Sequence, residues 1–208
     1  MNINKLIGLI LLLPAPLLAS DSELCNTHYK NAEWQLAAAP CQKASESGDH
    51  VAQTILGELY DSGDGVTQDS SKAAHWWGLA SNAGHQPARN LLAMKHYYGG
   101  TVFGPEPGWK KDYAKAYKIW HEDAVRGVAT SQFMLGVMYK NGEGVKQDYA
   151  EAWAWFKISL QGGYKLSTDL LIELSRAMSP ADKQRGKARL QELQQRHSIK
   201  QRMTALER

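Results

Sequence analysis

The chain of 208 residues is predicted to be an all-α protein, a solenoid of antiparallel helix pairs closed by helical caps at both ends. The first reason is an internal repeat: residues 55–77 and 134–156 align without a gap, and residues 91–120 form a third copy. This third copy carries seven extra residues in its turn. Self-similarity at this period is typical of stacked repeats, because one repeat alone cannot bury its own apolar face.

The spacing of apolar residues predicts that each copy is a pair of helices. In the first copy, Ala52, Leu56 and Leu59 recur at three- and four-residue steps and form one apolar stripe. Gly63 stands where this helix ends, since glycine adopts the left-handed backbone that a helix-ending turn requires. Asp69 stands where the second helix begins, and its carboxylate can accept hydrogen bonds from the free N–H groups there.

The pattern LGxxYxxGxGVxxDxxKAxxWW resembles the Sel1-like repeat, a relative of the tetratricopeptide repeat. The resemblance covers roughly residues 32–165 and implies a right-handed α-solenoid. The middle copy departs from the pattern, because Ala93 replaces the glycine of the first helix and His96 replaces the tyrosine. Within residues 49–165 we expect three repeats, at about 49–84, 85–127 and 128–163.

The first twenty residues are predicted to be a signal peptide. Lys5 precedes an apolar run of thirteen residues, at 6–18, followed by the small residues Ala19 and Ser20. A membrane-spanning helix needs about twenty apolar residues, so we expect no transmembrane segment after cleavage. The mature chain is therefore expected in the periplasm, or secreted.

Capping segments are predicted on both sides of the repeats. Residues 21–48 are expected to form N-terminal helices joined by a Cys25–Cys41 disulfide, because an even cysteine pair in an exported chain is typically oxidised. Residues 166–197 are expected to form C-terminal capping helices. A frayed basic tail, at 198–208, is expected to follow them.

Composition and motifs argue against several functional classes. The formal net charge is +3, and +2 without the leader, far from the basic loading typical of a nucleic-acid-binding protein. The seven histidines form no HExxH motif or cluster, and neither a P-loop nor a G-x-S-x-G motif occurs. We therefore predict no catalytic residues, no metal site and no cofactor.

The resemblance implies a concave groove lined by the face of the first helices that the motif leaves unspecified. Four apolar residues on this face, Met94, Tyr97, Phe133 and Val137, are expected to form an exposed cluster, which is typical of a binding surface. The alternative is that the C-terminal helices fold back and cover them. Phe103 and Trp109, in the insertion, are further candidates. The predicted groove residues are Glu58, Asp61, Asn90, Met94, Tyr97, Phe133, Val137 and Lys140.

Relatives of this repeat type imply a non-catalytic module that binds a protein partner, namely an effector, envelope or signalling protein. Two forms stay open: an immunity protein that inhibits a type VI secretion phospholipase effector, and an envelope adaptor. The alternatives are a β-lactam-binding or β-lactam-hydrolysing enzyme, as in cysteine-rich Sel1-like proteins, and a structural or flagellar accessory protein. The sequence leaves the oligomeric state open.

Overall fold

The computed structural model describes the backbone of residues 19–100 and 109–206, and the side chains as far as residue 196. Within these ranges it contains helices and turns and no strand, which confirms the predicted all-α class. Most of the predicted signal peptide and the residue Phe103 lie outside the described residues. The ten helices are α1 (Asp21–Lys30), α2 (Trp34–Glu46), α3 (His50–Ser62), α4 (Ser70–Asn82), α5 (Gln86–Tyr98), α6 (Tyr113–Ala124), α7 (Ala129–Asn141), α8 (Tyr149–Gln161), α9 (Ser167–Ala177) and α10 (Pro180–Leu206).

Each helix from α1 to α8 packs against the next one along the chain, so that the pairs stack as a solenoid. The predicted turn chemistry is present. Gly63 ends α3, and Gly142 ends α7, with φ of 80° and 75°, a backbone conformation that a side chain would strain. The carboxylate of Asp69 accepts hydrogen bonds from the backbone N–H groups of Ser71 and Lys72, both at 3.0 Å, and so caps α4.

A glycine in the first helix lets an aromatic ring of the second helix lie against its backbone. A Cβ atom at Gly57 would lie 2.4 Å from the Trp77 ring, and one at Gly136 would lie 2.6 Å from the Phe156 ring. The indole of Trp77 uses this space to donate a hydrogen bond to the carbonyl oxygen of Thr54, at 3.0 Å. The close approach therefore satisfies a buried polar group as well as packing the pair.

The middle pair solves the same packing problem differently. Ala93 occupies the glycine position and is fully buried. The indole of Trp120 donates to the side-chain oxygen of Asn90, at 3.2 Å, instead of to a backbone carbonyl. The 36-residue offset of the repeat places Asn90 at the position of Thr54. The side chain of Asn90 is longer than that of Thr54 and reaches the Trp120 indole directly. The indole therefore needs no backbone carbonyl as its acceptor, although the methyl group of Ala93 occupies the space that glycine leaves open in the other pairs.

Both ends of the solenoid are held by specific contacts. Cys25 and Cys41 form the predicted disulfide between α1 and α2, with Cα atoms 4.6 Å apart, and both residues are fully buried beside α3. At the other end, α10 folds back onto α8, where Arg185 contacts the Asp148 carboxylate at 2.9 Å. Leu193 of α10 joins the core around α6, α7 and α8. No helix in the described part of the chain is long and apolar enough to cross a membrane.

Candidate functional site

A cavity of about 400 Å³ opens between the N-terminal helices α1 and α2, the helix α3 and the helix α5. It lies among first helices of successive pairs, the layer in which the sequence predicts a groove. Three acidic residues, Glu58, Asp61 and Asp64, contribute to its wall. Apolar and aromatic side chains supply most of the remaining surface. The cavity is thus an apolar recess with several carboxylates, a composition typical of sites that orient a bound group.

Two of the three carboxylates have partners inside the protein. The ammonium group of Lys95 lies 2.7 Å from the Asp61 carboxylate, and both side chains are largely buried. The Tyr29 hydroxyl donates a hydrogen bond to the carboxylate of Glu58. Burial raises the pKa of Glu58, the hydrogen bond from Tyr29 opposes this, and the nearby charge of Asp61 adds to the rise. Burial likewise raises the pKa of Tyr29. The hydrogen bond to Glu58 and the negative charge of Glu58 raise it further.

The third carboxylate differs, because Asp64 has no side-chain hydrogen bond or ion pair with any described residue. Its backbone N–H donates to the hydroxyl of Ser62, at 3.3 Å, which fixes the turn after α3 but leaves the carboxylate unused. Gly65 follows in the left-handed conformation, and a Cβ there would lie 2.3 Å from the carbonyl oxygen of Trp34. This close approach fixes the turn bearing Asp64 against the start of α2.

Three predicted groove residues line this cavity: Glu58, Asp61 and Met94. Asn90 does not, since its side chain is engaged with the indole of Trp120 in the α5–α6 pair. The structure therefore brings together part of the predicted set at its N-terminal end.

The expected exposed apolar cluster is wrong for Tyr97. Its side chain is 6% exposed and packs in the core against Trp120, with ring centroids 5.4 Å apart. Its hydroxyl donates to the carboxylate of Glu143, in the turn after α7. Sequence spacing placed Tyr97 on the open face, but the next repeat turn covers it.

The C-terminal part of the predicted groove is covered by α9 and its preceding turn. Phe133 is half-buried and packs against Phe156 and Tyr164, with ring centroids 5.5 and 4.9 Å apart. Val137 is half-buried beside the same cluster, to which α9 contributes core residues. Lys140 forms an ion pair at 3.0 Å with Glu173 of α9. The folding-back alternative therefore describes this end of the molecule, and the expectation of an exposed cluster is wrong here too.

Trp109, the described member of the insertion pair, is also a packing residue. It is half-buried, and its ring lies 6.2 Å from that of Trp77 and 5.9 Å from that of His96. The ammonium of Lys95 lies 6.0 Å from the same ring. Trp109 thus closes the space between two repeats, next to the cavity but not in its wall.

The cavity-wall residues that sequence reasoning missed include Tyr29, Trp34, Asp64, Lys95 and Tyr98. A sequence signal existed for two of them. The 79-residue offset between the first and last repeats aligns Trp34 with Tyr113 and Asp64 with Glu143. Tyr29 and Tyr98 carry no such signal. Among the described residues, no group of three or more His, Cys, Asp or Glu side chains is arranged to hold a metal ion.

The family described as Sel1 repeat matches residues 50–85 and 129–164, which are the α3–α4 and α7–α8 pairs. These two helix pairs are therefore Sel1 repeats. The fold of the chain is similar to that of a Sel1 repeat protein from Oxalobacter formigenes, with a TM-score of 0.53 and 28% identity, covering 64% of this chain and 95% of that one.

Two curated relatives share this repeat region. The alginate biosynthesis protein AlgK of Azotobacter vinelandii is 27% identical over 175 residues, which is 84% of this chain and 34% of AlgK. An exopolysaccharide production negative regulator of Rhizobium leguminosarum bv. viciae is 27% identical over 145 residues, 65% of this chain and 54% of the relative. The chain thus spans about a third of the length of the first relative and about half of the length of the second.

Proposed function

We propose that this Sel1 repeat protein is an exported, non-catalytic module that binds a protein partner through the cavity between α1, α3 and α5. The observation that carries the proposal is the cavity itself. It is a concave, apolar recess with carboxylates on its wall, on the helix layer that repeat proteins use for recognition. Tyr98, at its rim, is 44% exposed, and exposed aromatic side chains are favoured in protein interfaces.

Export to the periplasm is supported by two features. The N-terminal segment has the charge and length of a signal peptide. The Cys25–Cys41 disulfide suits an oxidising compartment. A non-catalytic role is supported by the absence of a nucleophile motif from the sequence. The β-lactam alternative has less support, since the single cysteine pair lies in the N-terminal helices and outside the matched repeats.

The relatives favour the adaptor form of this function over the inhibitor form. One is named for alginate biosynthesis and the other for negative regulation of exopolysaccharide production. We therefore propose that the partner is a component or regulator of polysaccharide production in the envelope. A secreted phospholipase effector is the competing partner, and the experiment below separates the two.

Site-specific photocrosslinking in the native host tests the proposal. A photoreactive phenylalanine analogue replaces Tyr98 at the cavity rim, and the matched control replaces Leu79 of α4, which is 41% exposed, close to the 44% of Tyr98. We expect a discrete light-dependent adduct from position 98 and none from position 79. Equal labelling from both positions, or no adduct from position 98, would contradict the proposed surface. Mass spectrometry of the adduct distinguishes a polysaccharide-production protein from an effector.

A further inference from the structure

We propose that the cavity docks an arginine side chain of the protein partner, with the guanidinium group held by Asp64 and Glu58 between aromatic walls. This inference rests on the proposed function and names the chemistry of its partner. It combines three independent features of the cavity: its charge balance, its difference from the equivalent turn of the last repeat, and its aromatic lining.

The charges of the cavity wall favour a cation. Among the described residues of the wall, three carboxylates, of Glu58, Asp61 and Asp64, accompany one ammonium group, that of Lys95. Since Lys95 pairs with Asp61 at 2.7 Å, the remaining negative charge is concentrated on Glu58 and Asp64. Glu58 is partly buried, where a carboxylate without a nearby cation is costly. A bound cation would lower this cost.

The equivalent turn of the last repeat shows what such a carboxylate needs. Glu143, at the position of Asp64, accepts hydrogen bonds from the Tyr97 hydroxyl, from the Tyr113 hydroxyl at 3.2 Å and from the Asn141 amide at 2.9 Å. The side chain of Asp64 accepts no such hydrogen bond from a described residue. Trp34 stands in place of Tyr113, and Ser62, in place of Asn141, donates to the backbone carbonyl of Glu58 at 3.0 Å. The hydrogen bonds made in one repeat are therefore missing in the other, at the point where the cavity opens.

The aromatic lining selects the kind of cation. The rings of Tyr29 and Trp34 lie 5.3 Å apart at 60°, and Tyr98 stands at the rim. A guanidinium group is planar, stacks on aromatic faces and forms paired hydrogen bonds with carboxylates, whereas an ammonium group is more strongly hydrated. Arginine therefore matches both the walls and the carboxylates of this recess better than lysine does.

The test uses Nα-acetyl-arginine methylamide as the probe and its neutral citrulline analogue as the control ligand. Binding is followed by chemical-shift changes in two-dimensional NMR spectra of the isotopically labelled protein. We expect saturable shifts at Tyr29, Trp34 and Tyr98, and citrulline binding at least about tenfold weaker, because only guanidinium is charged. A low-salt buffer keeps the electrostatic contribution measurable.

Two variants sharpen the result. Asp64→Asn keeps the size of the side chain, removes its charge, and is expected to weaken arginine binding about tenfold. Asp169→Asn, at an exposed position of α9, makes the same charge change away from the cavity and should leave binding unaltered. Equal affinity for arginine and citrulline in the wild-type protein overturns the proposal, whatever the variants do. So does unaltered arginine binding by Asp64→Asn.

Failure of arginine binding can be distinguished from failure of the proposed function, because the two are measured separately. If the position-98 crosslink forms but arginine does not bind in the cavity, the surface binds a protein by other chemistry. If arginine binds but no crosslink forms, the recess recognises a cation and the protein-binding role is wrong.

Discussion

Gly136→Ala should destabilise the protein even though alanine is the better helix former. The added Cβ would lie 2.6 Å from two ring carbons of Phe156, whereas ordinary contact begins at 3.4 Å. One of the two groups must therefore move by about 0.8 Å, the difference between these two distances. Phe156 is fully buried, so its ring has no empty space into which to move.

Gly78→Ala is the matched control for this change. Gly78 lies within α4, and a Cβ there would meet nothing within 4 Å. Both variants gain the helix propensity of alanine, about 1 kcal/mol over glycine. Gly78→Ala should therefore stabilise the protein by about 1 kcal/mol. Gly136→Ala also suffers overpacking, typically about 1–3 kcal/mol, so we expect it to lie about 2 kcal/mol below the control.

Urea unfolding, followed by far-ultraviolet circular dichroism, measures both free energies of unfolding. For a chain of this size, 1 kcal/mol corresponds to about 2–4 °C in the melting temperature, so thermal melts give an independent check. The m-values must agree, because partial unfolding of a repeat array would make the comparison meaningless. The reasoning is refuted if Gly136→Ala is as stable as Gly78→Ala, within about 0.5 kcal/mol.

Three further predictions follow from the packing at the two ends. Phe133→Asp should lower the free energy of unfolding by about 2–4 kcal/mol, since it places a carboxylate against two aromatic rings. Urea unfolding measures this change, with the conservative variant Phe133→Leu as the control. An unchanged urea midpoint for the Asp variant would contradict the prediction. Cys25→Ser combined with Cys41→Ser should cost about 3 kcal/mol, and only the wild-type melting temperature should fall when a reductant is added. The third prediction concerns Asp148. Burial raises the pKa of this carboxyl group, but hydrogen bonds from Arg185 and from the backbone at the start of α8 outweigh burial and hold the pKa below its usual value. The resulting stabilisation is present above about pH 4 and is lost as the pH falls through the folded-state pKa. Asp148→Asn, which keeps the cap, should therefore be less stable than wild type at pH 7, by a difference in the free energy of unfolding that shrinks in acid. A difference that does not change with pH would contradict the lowered pKa of Asp148.

The sequence by itself determined the repeat architecture, because the information lies in local patterns. Apolar spacing defines the helices, Gly63 and Asp69 define a turn and a cap, and the internal alignment defines the period. The disulfide followed from the cysteine count and the predicted export, since Cys25 and Cys41 have no competing partner in the sequence.

Only the tertiary structure decided which side chains of the open face remain open. Tyr97 and Phe133 look equally exposed by helix spacing, yet a turn covers one and α9 with its preceding turn covers the other. The cavity likewise joins Tyr29 to Asp64 and Tyr98, which belong to three different helix pairs and share no motif. Burial depends on which neighbours arrive from elsewhere in the chain, and a helical period records only the face of its own helix.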